Sequence, residues 1–293
     1  MALSTQTVPE LTREQIVTIL TEPLEQQSVF LAAGPTVFDT DGSPVRVPRA
    51  PVMVDDTPEP ALPDWIGENE LITERDAELD ELMLLPSTMK SVKVITRYSN
   101  ELARQSIVSL DAALRARLVS DVAAKVDAQF LSADGDGVTT PRGLFAYEDV
   151  QTVPALSGPL TPDAILDAQA LALGANVDPS RLVLFVRPGD YMGMRAMKTT
   201  DGRYLVEPDA QRGGTIVPIL GADVRVSSRI PEGRAALVDM SQIAVARDLD
   251  PSVKVLTERY ADYDQQAIRV VARYDAAPLH PEAVVTFSGI AAE

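Results

Sequence analysis

One long helical repeat limits what this chain can fold into. Leu110, Leu114, Leu118, Val122, Val126 and Phe130 recur every four residues. Each step overshoots a full turn by about 40°, so the apolar row winds slowly round a helix. Arg115, Arg117, Asp121, Lys125 and Asp127 fall beside that row, the pattern of a helix with one buried face. Ser109 is placed to cap it, and Asp111 sits in the first turn, where the macrodipole favours an acid. Roughly 22 residues at 1.5 Å each give about 33 Å of helix. Taken alone it is either an ordinary long core helix or a spine that other elements lie along.

The flanks separate those readings. S-N-E-L-A-R-Q-S from Ser99 precedes the helix, and L-S-A-D-G-D-G-V-T-T-P-R-G-L follows it. The chain has 293 residues, enough for one large or two modest domains with a real core. Thr12–Glu22 reads as a short helix, with Thr12 and Gln15 as a capping box and Pro23 as its stop. From Gly34, G-P-T-V-F-D-T-D-G-S-P-V-R-V-P-R-A-P is too rich in Pro and Gly for a continuous helix. It predicts an extended arm that an isolated monomer would order poorly.

Asp55 to Glu81 holds eleven acids and one base, Arg75. On charge alone this is a solvated acidic hairpin. However, Trp65, the only Trp, lies inside it, and a lone Trp in a polar stretch predicts a covering partner surface. Further on, Thr161 caps a helix that opens with Pro162 and Asp163. R-L-V-L-F-V-R-P is a buried-strand run ending at Pro188, and P-G-D-Y-M-G-M-R-A-M-K reads as another helix. T-D-G-R-Y-L is a tight turn, and I-L-G-A-D-V-R-V-S-S-R-I-P-E-G-R-A-A-L-V-D gives two strands around a P-E-G turn. The last third predicts three strands, in V-K-V-L-T-E-R-Y, Q-A-I-R-V-V-A-R-Y-D and P-E-A-V-V-T-F.

In this order the motifs resemble the major capsid proteins of tailed phages, the family with the HK97-type fold. S-x-E-L, the spine helix and the G-D-G-x…P-x-G-L loop carry the resemblance. So do D-W-I-G-E-N-E-L-I-T-E-R-D, D-G-R-Y-L, I-P-E-G and the ending I-R-V-V-A-R…P-E-A-V-V. One departure is Arg187, where Asn is common in the family. The resemblance implies an α+β fold with an N-terminal arm at 1–50 and an extended E-loop at 51–92. It places a P domain with its spine helix at 93–155, an A domain at 156–250 and the C-terminal strands of the P domain at 251–293. It implies a structural protein, not an enzyme, whose copies form hexamers and pentamers of an icosahedral shell. The shell would enclose phage double-stranded DNA without sequence-specific binding. Expected partners are other copies of the chain, a separate scaffolding protein, a portal and a decoration protein. The location implied is the virion, with assembly in the host cytoplasm. An encapsulin-like cellular compartment around protein cargo is the alternative, and an acidic cytoplasmic hydrolase is the second.

Composition and chemistry bear on these. There is no Cys, so disulfides and thiolate chemistry are excluded. The start M-A-L-S-T-Q-T-V-P-E has no basic and apolar run, which predicts no secretion signal. No apolar run approaches a membrane span. The net charge of -17 argues against general attraction to nucleic acid. The one histidine, His280, sits in P-L-H-P-E, more a turn than a cleft. A-D-G-D-G-V-T-T lacks the ligands of an EF-hand loop, so Asp134 and Asp136 are better read as parts of a Gly-rich turn. No cofactor and no metal are expected. Some shells of the family weld themselves by Lys–Asn isopeptide bonds. Here Ala77 to Leu85 has no Lys, the nearest being Lys90 and Lys93, and A-D-Y-D-Q-Q-A has no Asn, so noncovalent contacts are expected. The predicted inter-subunit contact sets Trp65, Ile66, Glu68 and Leu71 of the acidic segment against Arg97, Arg104, Arg115 and Arg117 of a neighbour's spine region.

Overall fold

A computed structural model describes residues 28–41, 43–49, 67–69, 80–85, 90–101, 110–147, 149–198, 202, 204, 216–248, 252–256 and 258–291. The proposed Thr12–Glu22 helix and the Ser109 cap lie outside these residues. The spine is present as α1, Leu110–Phe130. Leu118, Val122, Val126 and Phe130 of the winding row are buried, together with Val119 and Ala123 beside it. They pack on one face of a sheet built from regions far apart in sequence.

That sheet takes β1 (Thr36–Thr40), β4 (Ser91–Ser99), β9 (Ile243–Asp248), β10 (Ser252–Leu256) and β11 (Gln265–Pro278). β11 is its organiser. Its first nine residues pair antiparallel with β4 and its last five pair antiparallel with β9, while β10 pairs along Ala267–Val271. Ile268, Val270, Ala272 and Tyr274 point into the core shared with α1. β1 lies parallel to β9, and Arg247 of β9 holds its register partner Asp39 at 2.7 and 3.1 Å. The expectation that the chain from Gly34 needs a neighbour to become ordered therefore fails for Thr36–Thr40. An alternating strand with a cross-strand ion pair finds its place on its own subunit.

β2 (Val45–Arg49) and β3 (Asp80–Leu84) form a separate two-stranded antiparallel ribbon, Val45 opposite Leu84 and Arg49 opposite Asp80. In sequence they flank residues 50–79. The sequence boundary at 50/51 thus falls just beyond one strand of a pair.

The second sheet is ordered β5 (Gln151–Thr152), β12 (Val284–Phe287), β8 (Ala235–Asp239), β6 (Leu182–Val186), β7 (Asp223–Val226). Every residue of β6, β8 and β12 is buried, as strands covered on both faces require. α2 (Pro162–Gly174) packs there through Ala164, Ile165, Ala168 and Ala172, and α3 (Pro188–Ala196) through Tyr191 and Met194. Thr161 caps α2 by accepting from Ala164 N–H at 3.3 Å. The two strands around P-E-G exist but are not neighbours, because β6 lies between them. The last strand also departs from expectation, since β12 joins this second sheet while β11 belongs to the first. Pro278 and Pro281 stop β11 and turn the chain, and the wholly apolar face-to-face burial of Val284, Val285 and Phe287 suits the middle of the second sheet.

Candidate assembly surface

Four local arrangements decide which surfaces this subunit closes itself and which it leaves open. The first is the joint beneath the acidic segment. Lys90 Nζ donates to Asp275 Oδ2 at 2.6 Å with both side chains buried, and Leu85 N–H and Ala276 N–H donate to the same carboxylate at 2.9 and 3.0 Å. The chain crosses this point with Leu85 at φ 50, packing Leu84 and Leu85 against Ala244 and Ala246. A two-stranded ribbon is marginal alone, so β2 and β3 depend on this anchorage.

The second is a tie at the end of the spine. Asp127 is buried and accepts from Ser28 Oγ at 2.6 Å, Val29 N–H at 2.9 Å and Phe30 N–H at 3.1 Å. This sets Phe30 5.1 Å from the Phe130 ring and 6.0 Å from the Phe185 ring, joining the two sheets' cores. By sequence alone Asp127 is one of the charges beside the apolar row. One signal was available: an acid in a helix's last turn opposes the macrodipole, so it needs a partner.

The third is the loop after the spine. Asp136 accepts from the backbone N–H groups of Val138, Thr139 and Thr140 and from both threonine hydroxyls. These hydrogen bonds, that of Thr139 foremost, hold its carboxyl well below the usual carboxylate range. The loop is therefore closed on itself, as the Gly-rich-turn reading expects. Gly143 is required here, because a Cβ would come within 2.1 Å of the Ser132 carbonyl oxygen. The fourth is Arg187, which donates to the Ile230 carbonyl at 3.1 Å and meets Glu232 at 3.3 Å. The departure from the family's Asn thus clamps the P-E-G turn.

The predicted contact residues fall as follows. Trp65, Ile66, Leu71 and Arg104 lie outside the described residues, as does the side chain of Arg115. Glu68 is exposed in a short turn. Arg117 is exposed on α1 and spends its charge on Asp121, one turn along, at 3.0 Å. Arg97 is exposed on β4, with its guanidinium 5.4 Å from the centroid of the Tyr260 ring. No ion pair joins Glu68 to Arg97 or Arg117 within the subunit.

Open surfaces remain. A groove of about 450 Å³ runs between α1 and β4, floored by Val92, Val94, Val122, Val126 and Phe130 and edged by Lys93 and Lys125. Leu166 and Leu173, seven residues apart on the outer side of α2, are about half exposed. A smaller polar hollow of about 400 Å³ holds His280, Asp178, Arg181 and Glu282. Among the described residues no acid or histidine group is placed to hold a metal ion, and no helix is long and apolar enough to cross a membrane.

The profile of the phage capsid family matches residues 7–289. Among solved structures, the capsid of the native GTA particle matches with a TM-score of 0.70 at 18% identity, covering 90% of both chains. A structure from Mycobacterium phage Adephagia matches with a TM-score of 0.68 at 16% identity, covering 91% of both. The virus-like particle from Pyrococcus furiosus matches with a TM-score of 0.61 at 14% identity, covering 94% of this chain and 98% of that one. No curated protein matches.

Proposed function

The chain belongs to the phage capsid family, and on that premise we propose that its copies, grouped as hexamers and pentamers, tile an icosahedral shell around double-stranded phage DNA. It is a structural capsid protein with the HK97-type α+β fold. The observation that carries the shell reading is the extent of the likeness: 90% of this chain overlays 90% of the GTA capsid chain, so a whole subunit is shared, not one module. Hydrolase chemistry has no part in this reading.

In the shell, the acidic segment reaches from its β2–β3 base onto a neighbour, with Trp65, Ile66 and Leu71 giving apolar contact and Glu68 giving charge. Arg97, Arg104, Arg115 and Arg117 of the neighbour's spine region supply the cations on the receiving side. A scaffolding protein directs assembly, a portal occupies one vertex, and a decoration protein binds outside. The chain's place is the virion, after assembly in the host cytoplasm. Contacts stay noncovalent: Lys90, the lysine nearest the acidic segment, is locked to Asp275 inside the subunit.

Light scattering and negative-stain microscopy of the expressed chain, with and without scaffold, test this. Particles or ring-shaped capsomers are expected, and boiling in denaturant should release single chains of 31.6 kDa. A stable monomer under all conditions contradicts the reading. The likeness to the Pyrococcus furiosus virus-like particle favours a second reading, a compartment around protein cargo. Protein instead of DNA inside purified particles would select it.

A further inference from the structure

We infer that Lys90 and Asp275 of one subunit condense into an amide, so that the buried ion pair is the precursor of a covalent tie; this goes beyond the shell reading and stands independently of it. Lys90 is the one buried lysine among the described residues, and Asp275 is 1% exposed. Lys90 stands just before β4 and Asp275 lies in β11, 185 positions further on. Nζ meets Oδ2 at 2.6 Å, and Nζ has no other partner among the described residues. One acceptor for three donors leaves a buried ammonium poorly satisfied. Stability alone does not call for such a pair, because apolar side chains of similar volume serve a core as well. An amine and a carboxyl held in contact and out of water are what amide formation requires.

The two side chains hold every atom the reaction needs. One proton of the Lys90 ammonium passes along the 2.6 Å hydrogen bond to Oδ2, which removes two buried charges together. The Nζ lone pair then attacks Cγ. Negative charge develops on Oδ1, where Ala276 N–H already donates at 3.0 Å, the reach of an oxyanion-hole contact. Leu85 N–H, donating to Oδ2 at 2.9 Å, fixes the carboxyl in place. A second Nζ proton passes to Oδ2 as the Cγ–Oδ2 bond breaks and Oδ1 returns to a carbonyl. Ammonium and carboxylate thus become one amide and one water, with no oxidant or co-reactant. Lys90 also lines the groove between α1 and β4, which gives that water a way out. Burial, and after it the charge of Asp275, push the nearby Tyr147 phenol up, the mark of a site short of water. The tie closes a ring of chain that runs from β4 through α1 and the second sheet to β11.

Mass spectrometry of the denatured full chain, from particles or free subunits, tests this at once after purification and again after prolonged warm incubation. Most chains should come to lose the mass of one water, and a proteolytic digest should yield one branched peptide joining Lys90 to Asp275. Because the tie lies within one chain, boiled particles still release monomers. On a denaturing gel the closed ring should run ahead of the Lys90→Arg chain, which keeps the charge and cannot condense. Asp275→Asn should lose the mass of ammonia in place of water, since the same attack expels the amide nitrogen. A wild-type chain of full mass after incubation, with Lys90 cut normally by trypsin once unfolded, overturns the inference whether or not the variants fold. Loss of water mapped to another residue pair, or to a succinimide at Asp134–Gly135, also overturns it. Assembly is scored separately: linked chains that stay monomeric keep this inference and remove the shell reading, and full-mass chains in sound particles do the reverse.

Discussion

The two five-stranded sheets differ in what they leave uncovered. In the sheet of β6, β8 and β12 every strand residue is buried, and α2 and α3 close its core. In the sheet of β4, β10 and β11 one face packs on α1, while the other presents Lys93, Ile95, Arg97 and Lys254 to solvent. One sheet is complete within its subunit, and the other leaves one face open to solvent. A protein whose task is to meet copies of itself needs both kinds. The complete sheet supplies the stability that keeps the open one presented in fixed geometry, and Asp127 and the Phe30–Phe130–Phe185 group couple them.

The sharpest way to break this contrast is at the joint under the acidic segment. Asp275→Ala leaves Lys90 buried and unpaired, and should cost about 3–5 kcal/mol in denaturant unfolding. Adding Lys90→Met should recover most of that loss. Equal losses for single and double variants would show that packing, not charge, holds the joint. Next, Leu237→Ala in fully buried β8 should cost about 2–5 kcal/mol, against about 0.5 kcal/mol or less for exposed Ile95→Ala. Yet Ile95→Ala should be the more harmful of the two to assembly, measured as particle yield from folded subunits. Asp127→Ala strips three donors of their acceptor and should cost about 3 kcal/mol. Because it releases Phe30, the loss should appear as separate melting of the two halves by calorimetry. Arg187→Ala should cost only about 1 kcal/mol and loosen the P-E-G turn, read by hydrogen exchange at residues 230–233.

The smallest expected effect concerns pH. Asp136 has a folded-state pKa below its unfolded value, so its contribution is present above the unfolded value, near 4. It is lost as pH falls through the lower, folded value. Carboxyl NMR should find Asp136 still ionised at pH 3, where ordinary surface acids are half or more protonated. Titration with the other surface acids would mean that the threonine cage does not form in solution.

Local features were legible in the sequence. α1 ends where its four-residue row ends, Thr161 caps α2 as its side chain and Pro162 predict, and Leu182–Val186 is the buried strand its composition suggests. These depend on neighbours within a few residues, and periodicity reports them directly. Pairing partners were not legible. Lys90 and Asp275 lie 185 residues apart, and Asp127 and Ser28 lie 99 apart, so no local pattern marks either. The sequence order of β7 and β8 around one turn suggested a pair, but β6 was the better partner for both, carrying five consecutive apolar residues that need cover on each side. Of the predicted contact residues, Arg97 lies on the open face while Arg117 is spent on Asp121. Sequence shows which residues carry charge; only the fold shows which charges are left over.

The central claim is that one half of the subunit is finished and the other is completed by a neighbour. Hydrogen exchange on assembled particles and on subunits dissociated from them measures this directly. The account predicts unchanged protection in β6, β8 and β12, with strong new protection in β4, β10 and residues 55–81 on assembly. Equal protection of β4 and β10 in both states, or gains centred on β6 and β8, would contradict it.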